Sequence, residues 1–172
     1  NKKLTTSVGD EGGFAPNLDS NTEALKLLVK AIEESDYTPG KDVSIALDCA
    51  ASSYYKEGKY HIHELGHVDY NRLIEYYLEL YKSYPIYSIE DPFDEEDDEA
   101  WIAFTKKIGS SLRIVGDDIF VTNPINLTKG IEKKIANFIL IKVNQIGTLT
   151  ETMKTIQIAK NGHYGFIVSH RS

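Results

Sequence analysis

The stretch Arg113–Lys142, RIVGDDIFVTNPINLTKGIEKKIANFILIK, holds the pattern that decides the fold. It opens on a short apolar run, Arg113–Asp117 (RIVGD), and closes on another, Phe138–Lys142 (FILIK), each ending in a charged residue. Between them, Asn123-Pro124 reads as a helix N-cap followed by proline at the first helical position, where a missing N–H costs nothing. Leu127, Ile131 and Ile135 then recur on one face at helical spacing. Short runs without polar alternation suit strands buried on both faces, and a helix joining two of them is the crossover of a parallel sheet.

The same unit repeats outward. Val43–Asp48 (VSIALD) and Ile86–Glu90 (IYSIE) precede it, and Gly165–Ser169 (GFIVS) follows. Ser20-Asn21-Thr22-Glu23 is a capping box leading into Ala24, Leu27, Leu28, Ala31 and Ile32. Asp69 caps a helix with Leu73, Tyr76, Tyr77 and Leu80 on its apolar face, and Trp101, Phe104 and Ile108 mark a shorter one. Thr148-Leu149-Thr150-Glu151 is a second capping box, ahead of Met153 and Ile156. Lys56–Val68 does not fit the unit and reads as a small hairpin or excursion. A closed (β/α)8 barrel needs about 200 residues or more. Five runs, with a sixth element ending near Gly9, make five to six βα units. The expected fold is α/β, a partial (β/α)8 TIM-type barrel over residues 1–172, cut from something longer. A complete five-stranded doubly wound domain also fits the number of runs, but the charged strand ends favour the barrel.

Barrel enzymes carry their chemistry at the C-terminal ends of strands. Here those ends bear Asp48, Glu90, Asp117, Lys142 and, just past the last run, His170-Arg171-Ser172. Three carboxylates brought together would repel one another and raise their pKa values, a conflict that a hard divalent cation such as Mg²⁺ removes. A single acidic residue at a strand end is more often a helix cap or a solvated charge; three in register, followed by a lysine, are not explained that way. Asp10, Asp91 and Asp118 adjoin this set and read as capping or supporting groups, because neighbouring side chains of a strand point to opposite faces. Gly9-Asp10-Glu11-Gly12-Gly13 matches no phosphate-binding glycine loop and reads as a plain turn or as a mobile loop presenting an acid. The run Asp94–Glu99 (DEEDDE) is a solvated loop and helix start. His61, His63 and His67 fall in the excursion and are read as surface residues, and Cys49 as a small packing residue.

Composition narrows the function. A net charge of −7 with no basic run excludes an ordinary nucleic-acid binder. No apolar run approaches the ~20 residues that span a bilayer. Cys49 is the only cysteine, so no internal disulfide forms, which fits a reducing compartment.

Six motifs resemble the enolases: SVGDEGGFAPNL (Ser7–Leu18), ALDCAAS (Ala46–Ser52), SIEDPF (Ser88–Phe93), VGDDIFVTNP (Val115–Pro124), IKVNQIGTLTE (Ile141–Glu151) and VSHRS (Val168–Ser172). They occur in the family's order and spacing, and GFAPNL with the following SN resembles the bacterial type. The resemblance implies the middle of the family's C-terminal barrel, with the family's N-terminal domain and the final barrel segment outside these residues, and a Mg²⁺-dependent dehydration of 2-phosphoglycerate to phosphoenolpyruvate. It implies that Asp48, Glu90 and Asp117 hold the metal, that Lys142 is the general base and Glu11 the general acid. It places Ser169, His170, Arg171 and Ser172 at the substrate, with Arg171 and Ser172 at its phosphate. The family's second substrate lysine and its closing N-terminal loop have no counterpart in these residues. The resemblance also implies a homo-oligomeric, cytoplasmic protein, found at the cell surface or secreted as well. A plasminogen-type surface partner goes with that location, and a fragment acting only as a binding module is the alternative to an enzyme. The piece by itself is expected to be inactive and to fold poorly, because open strand edges stay unpaired.

Overall fold

The computed structural model describes residues 4–9 and 12–170. Five parallel strands form one sheet in the order β1 (Ile45–Asp48), β5 (Ile86–Glu90), β6 (Arg113–Gly116), β7 (Phe138–Ile141) and β8 (Gly165–Val168). This is the order in which the chain meets them, as in a stretch of barrel wall, and not the reversed order of a doubly wound sheet. The intervening β2 (Tyr55–Lys56), β3 (Lys59–Ile62) and β4 (Gly66–Val68) form a separate antiparallel sheet, so the unassigned excursion is a three-stranded meander. Among the described residues no strand forms near Gly9. There the chain makes an isolated bridge between Val8 and Phe14, and the Gly9 N–H donates to the Gly13 carbonyl at 2.9 Å.

The helices begin where their caps predict. Ser20 caps α1 (Asn21–Glu34), Asp69 caps α2 (Tyr70–Ser83), Asn123 caps α4 (Pro124–Lys133) and Thr148 caps α6 (Leu149–Asn161), each side-chain oxygen accepting an N–H of the first turn. Asp97, inside the acidic run, caps α3 (Asp98–Ile108) and also accepts a 2.7 Å hydrogen bond from the buried Tyr60 hydroxyl. The run is therefore a helix start that also pins the meander, and not merely a solvated loop. Between α2, α3 and β5 sits an aromatic core of Tyr77, Phe93, Trp101 and Phe104, with ring centroids 5.5–6.1 Å apart in largely edge-on pairs.

Two apolar faces depart from the periodicity. In α1 only Leu25 is buried, and Leu28 stays exposed. In α6 Met153 is exposed, whereas Thr152, Thr155 and Ala159 face inward against α4. Small residues let the two helices approach, and the threonine hydroxyls are satisfied: Thr155 donates to the Thr122 carbonyl at 2.7 Å, and Thr152 to the Thr148 carbonyl at 2.8 Å.

Asn137 stitches β6 to the end of α3. Its Oδ1 accepts from Ile114 N at 2.7 Å, and its Nδ2 donates to the Gly109 and Leu112 carbonyls at 2.7 and 2.9 Å. Asn137→Ala should lower stability by about 2–3 kcal/mol, since three partners lose their bond at once; urea unfolding of the two chains measures the difference.

Candidate active site at the carboxyl rim of the sheet

The rim is set by strand register. Asp48 ends β1 directly beside Glu90, which ends β5, and Glu90 pairs with Val115, two residues before Asp117. Lys142 follows β7, where it N-caps the one-turn helix α5 (Val143–Ile146). Ser169 continues β8, its N–H donating to the Ile141 carbonyl at 2.9 Å, and His170 lies next to it, exposed. Asp48, Glu90, Asp117, Lys142, Ser169 and His170 thus all stand at one end of one parallel sheet. Glu11, Arg171 and Ser172 lie outside the described residues.

Asp117 is the hub. It is buried, its Oδ2 accepts from Lys142 Nζ at 2.6 Å, and its Oδ1 accepts from Gln145 Nε2 at 2.9 Å. The Lys142–Asp117 ion pair is itself shielded, with both side chains 9% exposed. Thr122, fully buried, accepts from the Lys142 N–H at 2.9 Å and donates to Gln145 Oε1 at 2.9 Å. Asp91 turns under the rim. Its two carboxylate oxygens accept the backbone N–H groups of Asp117 and Asp118, at 2.8 and 2.9 Å. This agrees with its reading as a supporting group.

Sequence reasoning assigned nothing to Gln145 or Thr122. Gln145 had a signal, its position three residues after Lys142, which places both on one side of a single helical turn. Thr122 had none, because it meets Lys142 only through the fold. The backbone here is strained: Ala50, Asp91, Val121 and Thr122 have φ of 42°, 41°, 44° and 56°, the left-handed region that β-branched residues rarely enter. All four follow strand ends at the rim, where strain of this kind tends to collect.

The electrostatics are those of crowded anions. Burial pushes the Glu90 carboxyl up to about 8, with further upward pressure from Asp48, Asp117 and Asp91, against a smaller downward pull from Lys142. Burial likewise lifts Asp91 to about 7, although the two amides it accepts favour its charge. Asp48 is also raised, by desolvation and by Asp117, while the Ala50 N–H opposes. Burial pulls Lys142 down, but the hydrogen bond and charge of Asp117, with Glu90 behind it, prevail and raise it.

These residues fit a hard divalent cation. Asp91, Asp117 and Asp118 each place a carboxylate oxygen within 4.8 Å of the others, and Asp48 and Glu90 add two more acidic groups whose charge is unfavourable without a counter-charge. An all-oxygen, strongly anionic donor set is what Mg²⁺ selects. Such a rim also gives a pH signature. Glu90 and Asp91 hold protons in the folded state at pH values where the unfolded chain has lost them. Their contribution to stability is therefore full below the ordinary carboxylate range and is lost as pH rises through about 7 to 8. Without divalent cation, the melting temperature should fall between pH 5 and pH 8; millimolar Mg²⁺ should restore it at pH 8 and do little at pH 5. Scanning calorimetry at the two pH values, with and without Mg²⁺, checks this.

Fold and rim together define a domain of the βα-barrel kind, with an acidic, lysine-bearing site at the carboxyl ends of its strands. The family model described as the enolase C-terminal TIM barrel domain matches residues 1–172, and the chain belongs to the enolase family. Among the described residues no helix is long and apolar enough to cross a membrane.

Proposed function

We propose that the barrel to which this chain belongs dehydrates 2-phosphoglycerate to phosphoenolpyruvate, with Asp48, Glu90 and Asp117 holding Mg²⁺. Family membership supports the reaction class, and one observation carries the assignment: the Lys142 ammonium lies 2.6 Å from a buried carboxylate of the acidic rim. Asp91 is left out of the metal set because both its oxygens already hold amides; it aims Asp117.

Dehydration needs a base for the C2 proton and an acid for the C3 hydroxyl. Lys142 takes the proton from C2. Glu11, which glycines flank in the sequence (Gly9-Asp10-Glu11-Gly12), gives a proton to the departing hydroxyl, which leaves as water. A Mg²⁺ ion held by Asp48, Glu90 and Asp117 would supply positive charge that stabilises the substrate carboxylate as C2 loses its proton. Lys142 takes that proton as the free amine, and the Asp117 carboxylate that accepts from its Nζ governs how readily it reaches that form. Thr122 and Gln145 keep the lysine backbone and the Asp117 carboxylate in place throughout. Ser169, His170, Arg171 and Ser172 contact the substrate, the fork of Arg171 suiting its phosphate.

The test is the rise in ultraviolet absorbance of the enol product, with 2-phosphoglycerate and Mg²⁺, in a protein carrying this chain within a closed barrel. Mg²⁺-dependent product formation supports the reading; a Mg²⁺-bound, folded protein that forms none refutes it.

A further inference from the structure

The meander carries three imidazoles that the rim chemistry does not use. His61 on β3 and His67 on β4 are direct cross-strand partners. Their rings stack with centroids 3.9 Å apart and planes 18° from parallel. Strand alternation turns the neighbours Tyr60 and Ile62 into the core, so His61 faces away from it, and His67 is exposed. His63 opens the following turn, and with His61 it lines a cavity of about 330 Å³ between α1, β1, β3 and α2. No described residue hydrogen-bonds or ion-pairs with any of these three rings; the stacking of His61 on His67 is their one contact of that kind.

We propose that His61 and His67 form a bidentate site for a borderline divalent transition-metal ion (Cu²⁺, Ni²⁺ or Zn²⁺), water completing its coordination. Two imidazole nitrogens at ~2.0–2.1 Å from a tetrahedral ion stand about 3.3 Å apart, and the ring centroids here are 3.9 Å apart, so the two rings are near enough to share one ion. Directly opposed strand residues have Cβ atoms only about 4.5–5.5 Å apart, so both rings can reach one ion once side-chain rotation opens the stack and turns their in-plane lone pairs together. The hydrogen-bonded backbone holds the pair together before metal arrives, which removes most of the ordering cost of chelation. Imidazole donors distinguish this site from the carboxylate rim, since Mg²⁺ prefers oxygen and the late transition metals prefer nitrogen.

The experiment is calorimetric titration of the full chain with Cu²⁺, Ni²⁺ and Zn²⁺ in excess Mg²⁺. The Mg²⁺ is needed because the cavity also reaches Asp48. One ion per chain is expected, Cu²⁺ binding more tightly than Ni²⁺ or Zn²⁺. His67→Asn, at an exposed position and with circular dichroism to check that the hairpin stays folded, should weaken binding about tenfold or more. His61→Ala should do the same. The electron paramagnetic resonance spectrum of bound Cu²⁺ should show coupling to at least two nitrogens, with one fewer in His67→Asn. Binding of unchanged affinity and stoichiometry in the double variant would overturn the proposal, as would displacement of the ion by Mg²⁺.

Discussion

Lys142→Ala is expected to lower turnover by about 10²–10⁴-fold, the usual worth of a positioned general base, while the affinity of the rim for Mg²⁺ rises. The two effects part because Lys142 plays two roles. It is the base in the proposed reaction, and its ammonium neutralises Asp117 from 2.6 Å. Removing it takes away the proton acceptor but also the cation that competes with metal. Gln145 still holds the other Asp117 oxygen at 2.9 Å, so the carboxylate stays in place. Turnover of the variant in a closed barrel and calorimetric Mg²⁺ binding give the two readouts. A parallel fall in both would mean that Lys142 only shapes the rim, and the base would have to be sought elsewhere.

Asp91→Ala should be the most destabilising single change at the rim, by about 2–4 kcal/mol. It leaves the Asp117 and Asp118 amides without their acceptor, and each buried unsatisfied N–H costs about 1–3 kcal/mol, partly offset because a desolvated carboxylate is removed with it. Mg²⁺ affinity should fall as well, because the loop carrying Asp117 loses the bond that fixes it to β5. Denaturant unfolding and Mg²⁺ titration of the variant measure the two losses. Asp118→Ala, at an exposed position, serves as the control and should change stability little.

The sheet was legible in the sequence because each strand is a short apolar run ending in a charge, and the rim carboxylates were legible because they are those ends. The caps of α1, α2, α4 and α6 were equally plain, since capping chemistry is local. What was hidden depends on contacts across the fold. The inward face of α6 is built from Thr152 and Thr155, whose hydroxyls are satisfied within the helix or by Thr122, so polarity misreports their burial. The order of Lys56–Val68 rests on Tyr60 reaching Asp97, 37 residues away. Gln145 and Thr122 enter the site for the same reason: their hydrogen bonds join segments 20 or more residues apart.

Val121 and Thr122 sit in left-handed backbone, and Thr122 is the residue that steadies Lys142 from below. Conformations of this kind cost of order 1–3 kcal/mol each. A search for thermostable variants would therefore find glycine at position 121 early, as an apparent improvement. The gain would come from releasing a backbone that holds the Thr122 hydroxyl against Lys142 and Gln145. Selection on melting temperature and selection on turnover should pull this position in opposite directions, which makes it a place where the two traits are traded.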